Sequence, residues 1–162
     1  MAVVSQGGLF GYADLEQGRL LLPPVYQDAG PFREGLAVVR LGDRFGLIDR
    51  DGVWRIDCGR YDYVGPLSGG RALVRRDSLY GFIDRHGREA IAVRYPFACR
   101  FHEGRAVVRI GDKYGYIDTE GRQAIPPVFD RAYRFIGGKA RVNRCGETFF
   151  IDKSDECWLK FD

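Results

Sequence analysis

The sequence predicts an all-β chain of tandem repeats, and three observations carry that prediction. A tetrad returns at a nearly fixed interval: Gly11-Tyr12-Ala13-Asp14, Gly46-Leu47-Ile48-Asp49, Gly81-Phe82-Ile83-Asp84 and Gly115-Tyr116-Ile117-Asp118, spaced 35, 35 and 34 residues apart. An apolar run led by alanine begins nine positions before each glycine, at Ala2, Ala37, Ala72 and Ala106. Turn formers, with 22 Gly and 7 Pro among them, punctuate short bursts of aromatic and β-branched residues, the composition of a turn-dense sheet protein.

A fifth copy, Phe149-Phe150-Ile151-Asp152, follows Ala140 with its glycine replaced. Units therefore begin near residues 2, 37, 72, 106 and 140, and residues 1–162 are expected to form a single repeat domain. No segment sustains a helical period long enough for a substantial helix.

Each unit reads as a three-stranded antiparallel meander, clearest in the fourth. Ala106 to Ile110 is the first strand, Gly111-Asp112-Lys113 a hairpin turn and Tyr114 to Asp118 the second strand. Thr119-Glu120-Gly121 turns the chain again, Gln123 to Ile125 forms a short third strand, and Pro126-Pro127 is expected to stop the ladder. The linker that follows carries aromatics towards the next unit. Phe32, Leu67, Phe101 and Phe135 sit five positions before the next alanine, and Gly35, Gly70, Gly104 and Gly138 two before it.

The recurring aspartates open Asp-x-x-Gly turns at Asp49, Asp84 and Asp118. Aspartate there accepts from amides two or three residues on, and glycine tolerates positive φ, so the row predicts turns rather than calcium sites. The aromatic–glycine pairs predict core stacking, the glycine admitting a neighbouring backbone.

Five such units can stack as an open twisted array or close as a small five-bladed propeller. The degenerate fifth unit and the polar Ser5-Gln6-Gly7-Gly8 turn resemble caps, which favours the open form.

The net charge of +3, from 25 basic and 22 acidic residues, describes a mixed surface and argues against a nucleic-acid partner. Met1 to Gln6 shows no basic segment leading into an apolar run, and no stretch is apolar enough to span a bilayer, so a cytoplasmic protein with no membrane partner is expected. Cys58, Cys99, Cys145 and Cys157 form no metal-like spacing and are expected as free thiols.

The units from Glu34 to Asp49 and from Glu103 to Asp118, with Ala124-Ile125-Pro126-Pro127-Val128-Phe129-Asp130 and Leu22-Pro23-Pro24-Val25-Tyr26, resemble the bacterial WG-repeat (KWG-like) family over essentially the whole chain. The departures are Phe or Tyr for the name-giving Trp, Asp57-Cys58 for Pro-Pro in the second unit, and a fifth unit without the glycines and prolines. The resemblance implies an interaction module with no shared activity, in a family some of whose members sit beside toxin or effector systems.

Catalytic chemistry finds little support. His86 lies in an Asp-x-x-Gly turn and His102 precedes a strand, and neither has a nucleophile in a recognisable motif. No enzyme activity, cofactor or metal is expected. Arg40, Arg75 and Arg109 share one place in consecutive first strands, and Arg71, Arg105 and Lys139 form a second row. In-register stacking turns such rows into stripes that could meet an acidic protein. Residues that differ between copies, Trp54, His86, His102 and Trp158, are the other binding candidates. The expected function is protein binding, with neutralisation of a toxin or effector as its specific form. Carbohydrate or small-ligand binding by the aromatic rows is the alternative, and an unrecognised hydrolase the second.

Overall fold

The computed structural model describes residues 1–57, 59–154 and 157–160, with side chains up to residue 154; Cys58 and the side chains of Cys157 and Trp158 lie outside the described set. The described chain is entirely strand and turn. The first sheet holds β1 (Ala2–Gln6), β2 (Leu9–Asp14) and β3 (Arg19–Tyr26). The second holds β4 (Asp28–Ala29), β5 (Ala37–Leu41), β6 (Arg44–Ile48) and β7 (Trp54–Asp57). The third holds β8 (Tyr63–Ser68), β9 (Arg71–Arg76), β10 (Leu79–Asp84) and β11 (Glu89–Tyr95). The fourth holds β12 (Ala106–Ile110), β13 (Lys113–Ile117) and β14 (Gln123–Phe129). The fifth holds β15 (Arg131–Ala132), β16 (Ala140–Arg144), β17 (Glu147–Ile151) and β18 (Cys157–Lys160).

All pairing is antiparallel between chain neighbours, as a meander requires, and the linkers add to it. They supply a fourth, edge strand: β4 pairs with β5, β8 with β9 and β15 with β16. In the fourth sheet the same place is taken by residues 97–99, through the Ala98–Val108 bridge and the Cys99 N–H to Val107 carbonyl bond of 2.9 Å.

The prolines do not stop the third strand. β3 and β14 run through Pro23-Pro24 and Pro126-Pro127, because the pairing slips there: Tyr116 faces Ile125, while Tyr114 faces Phe129. The bulge lifts the Pro-Pro backbone over the motif glycine. A Cβ on Gly115 would lie 2.7 Å from the Ile125 oxygen and 2.8 Å from the Pro127 nitrogen, and Gly11 and Gly81 are crowded the same way. That is why the aromatic is followed by glycine.

The sheets pack face to face in chain order. In the inner sheets the first strand buries both faces, since its alternating side chains meet two neighbours. Ala72, Val74 and Ile83 pack towards the second sheet with Leu47 and Ile56, while Leu73, Phe82 and Ile91 pack towards the fourth with Ala106, Val108 and Ile117. Two further clusters join the first sheet to the second and the fourth to the fifth. Among the described residues no cluster joins the first sheet to the fifth. A fully buried side chain such as Phe82 contributes about 2 kcal/mol by leaving water, so these clusters between units hold the stack together.

The turns repeat with the sheets. Asp84 Oδ1 accepts from the amides of His86 at 2.8 Å and Arg88 at 3.0 Å, and Asp49 and Asp118 do likewise. The turn glycine does a second task. A Cβ on Gly87 would stand 2.9 Å from Ile56 of the preceding unit, so the turn is seated on its neighbour.

Candidate functional site

A groove of about 1000 Å³ runs beside the edge strands of the third, fourth and fifth sheets. Buried Leu73 and Ala98 contribute its apolar base, and Tyr63, Phe97, Tyr133 and Ile136 line it while remaining solvent-exposed. Its ionisable side chains include Arg100, His102, Arg134, Lys139 and Arg141, and among the described residues that line it none is acidic. Most of the exposed large apolar side chains of this part of the chain therefore lie along one cationic wall.

Local sequence explains the position. The edge segments align as Gly30-Pro31-Phe32-Arg33, Gly65-Pro66-Leu67-Ser68, Cys99-Arg100-Phe101-His102 and Tyr133-Arg134-Phe135-Ile136. The third member of each anchors the segment: Phe101 and Phe135 are almost fully buried, against the rings of Phe82 and Tyr116 at 4.7 and 5.0 Å. The flanking positions are free to vary. Where the second and third sheets carry Gly-Pro, the fourth and fifth carry a thiol or a ring followed by arginine.

The arginines differ in what holds them. Arg141 stacks on Tyr133, its guanidinium carbon 4.2 Å from the ring centroid, a cation–π contact that stiffens one wall. Arg100 and Arg134 have no carboxylate within ion-pair distance among the described residues. Burial, aided by Arg134 and Arg100, pushes the His102 pKa below the ordinary histidine value against the pull of Glu103. Burial also raises the Cys99 thiol, against the same two arginines. Both guanidinia line the groove together with His102 and Cys99.

The residues singled out from sequence divide between this groove and other places. His102 and Lys139 line it. Arg40, Arg75 and Arg109 do form a register-matched row, opposite Phe45, Tyr80 and Tyr114, but Arg75 is paired with Asp62 at 3.4 Å. Arg71 donates to the Thr119 carbonyl of the next unit at 2.9 Å, and Arg105 to the adjacent Gly104 carbonyl at 3.1 Å. His86 is exposed in its turn, away from the groove. Trp54 packs against the cluster between the first and second sheets with Arg44 over its ring at 5.3 Å. Trp158 falls on β18, with its side chain outside the described residues.

Sequence reasoning missed Arg100, Arg134, Arg141 and Tyr133. The signal was present in the linkers, where Pro31 and Pro66 give way to Arg100 and Arg134 at the same repeat position. Cys99 and Cys145 are free thiols. Among the described residues no group of three or more His, Cys, Asp or Glu side chains could hold a metal ion, and no helix is long and apolar enough to cross a membrane.

A family model described as "WG containing repeat" matches residues 10–44, 45–80, 80–114 and 114–144. Among solved structures, Hsv2 of Kluyveromyces lactis superposes with a TM-score of 0.58 at 8% identity, over 98% of this chain and 59% of that one. The same protein with loop 6CD replaced by a Gly-Ser linker gives 0.57 at 10% identity, over 98% and 61%. A protein of unknown function from Bacteroides caccae gives 0.38 at 13% identity, over 98% and 76%. The chain spans less than two thirds of either Hsv2 chain, and at these identities the likeness is one of fold alone. No curated protein matches it in sequence.

Proposed function

The chain belongs to the WG-containing repeat family, and on that premise we propose that it is a non-enzymatic protein-binding module whose recognition surface is the groove along its third, fourth and fifth sheets. One observation carries this reading. Exposed Tyr63, Phe97, Tyr133 and Ile136 share a groove whose ionisable wall is cationic, on a scaffold whose repeated residues are spent on turns and cores. Apolar area gives affinity, and single-sign charge selects a partner of the opposite sign. The partner is an acidic protein surface or segment, and neutralising a toxin or effector is a specific form that such binding would take.

A carbohydrate array stands behind it. Tyr80 and Tyr114 are half-buried and meet Phe97 at 58° and 79°, which offers a sugar no flat run of rings. A hydrolase would need a supported nucleophile beside His86 or His102.

The test is capture from the native host with two surface variants. Ile136→Asp changes an exposed groove residue, and Val53→Asp an exposed residue away from the groove. A stoichiometric protein partner that is retained by wild type and V53D and lost by I136D supports the reading. Retention by I136D, or no partner alongside substrate turnover in an activity screen, overturns it.

A further inference from the structure

We propose that Arg100, His102 and Arg134 form an anion subsite that takes a carboxylate side chain of an acidic peptide segment, with Phe97, Tyr133 and Ile136 seating the bulky apolar residues beside it. The proposal rests on the protein-binding reading above and deepens it by naming the chemistry of the bound segment.

Three observations converge. First, the repeat shows that these side chains are dispensable to the fold. The position of Arg100 and Arg134 is proline in the second and third sheets, at Pro31 and Pro66, and that of His102 is Arg33, Ser68 and Ile136 elsewhere. The same edge segment is held in each case by the neighbouring aromatic or leucine. Second, the two guanidinia lack a carboxylate partner among the described residues, and no described residue that lines the groove is acidic. Third, Arg100, His102 and Arg134 line the same groove with Cys99 between the fourth and fifth sheets, so both cations face one space.

The groups facing His102 are Arg100 on its own segment, Arg134 from the fifth sheet and Glu103 in the adjoining turn. Glu103 is itself engaged, with its oxygens accepting from the Gly137 and Gly138 amides at 2.7 and 2.9 Å. A ligand carboxylate would therefore meet two guanidinia and an imidazole whose ring N–H can donate a hydrogen bond. Guanidinium favours such a planar, bidentate acceptor. The rings and Ile136 line the same groove, so charge alone is not enough: the favoured segment interleaves acidic with large apolar residues.

Fluorescence anisotropy with synthetic peptides tests this. The probes are a labelled nonapeptide alternating Glu with Phe and Leu, its Gln-for-Glu counterpart, a nonaglutamate and a single-stranded oligonucleotide. Wild type is expected to bind the first at least tenfold tighter than the other three. Arg100→Gln with Arg134→Gln should weaken that peptide at least tenfold, and Arg85→Gln, in an exposed turn outside the groove, should leave it unchanged. Equal binding of the Gln peptide, tighter binding of nonaglutamate or the oligonucleotide, no peptide binding, or full affinity in the double variant each overturns the proposal. The native partner separates the two readings. If I136D loses it while the double variant keeps it, the groove binds protein and the anion subsite is wrong. If both variants keep it, both readings fail.

Discussion

The hydroxyl of Tyr116 donates to the backbone carbonyl of Tyr133 at 2.8 Å, tying the centre of the fourth sheet to the edge segment of the fifth. Tyr12 makes the matching bond to Gly30 at 2.8 Å between the first and second sheets. Phe82 occupies the same repeat position without a hydroxyl, so the ring alone satisfies the packing. Tyr116→Phe should therefore keep the fold and lose one buried bond, about 1 kcal/mol. Urea unfolding should show a lower midpoint with an unchanged slope. A loss well above that size would mean that the hydroxyl also organises the groove wall.

The motif glycines give a sharper contrast. Gly115 has backbone atoms within 3 Å of any added Cβ, whereas Gly111 has open space and only a positive φ of 60°. Gly115→Ala should cost about 3 kcal/mol, because the bulge must move, and Gly111→Ala about 1 kcal/mol from its left-handed backbone. Equal costs in chemical denaturation would show that the Pro-Pro crossing is not tight.

Period and turn chemistry were legible because each is set by residues close in sequence. The spacing of the Gly-x-x-Asp tetrads dictates five sheets, and Asp84 with Gly87 dictates a turn whatever lies beyond it. The edge strands were not legible. Asp28–Ala29 and Arg131–Ala132 are two residues long, too short to show alternation, and they exist because a first strand lies ready to pair. The continuation through Pro126-Pro127 was hidden too, since proline's missing donor is harmless only when the pairing slips there. The groove was half-visible: His102 and Lys139 stand out as deviations, but Arg100 and Arg134 emerge only when linkers are aligned by their buried aromatics.

Glu103 predicts a pH effect. Its carboxylate accepts from Gly138 and Gly137 and meets Lys153 at 3.5 Å, and these contacts, the Gly138 bond foremost, hold its pKa below the ordinary glutamate value against a smaller push from burial. A carboxyl depressed in the folded state stabilises it above the unfolded pKa, and that contribution is lost as pH falls through the folded value. The difference in melting temperature between wild type and Glu103→Gln should thus be largest near neutrality, begin to shrink as pH falls past the ordinary glutamate value and be lost once pH is below the depressed folded value. A difference that is constant from pH 7 to pH 3 would assign the effect to shape rather than charge.

Trp54 is the clearest case of a residue whose oddity in the repeat is structural. The second unit lacks the Pro-Pro pair, and its third strand pairs without the wide slip: Leu47 faces Ile56 and Gly46 faces Asp57. The space above the motif glycine is filled by the indole instead, with Trp54 Cε3 2.6 Å from where a Gly46 Cβ would be. Trp54→Ala should open a cavity and cost about 2–3 kcal/mol, less than a fully buried tryptophan because the ring is half-exposed. Affinity for the acidic-apolar peptide should stay within about twofold of wild type, since its ring belongs to the cluster between the first and second sheets and the groove lies at the third to fifth. Thermal denaturation and anisotropy on the same sample separate the outcomes. A stable W54A that no longer binds would make the indole part of the recognition surface.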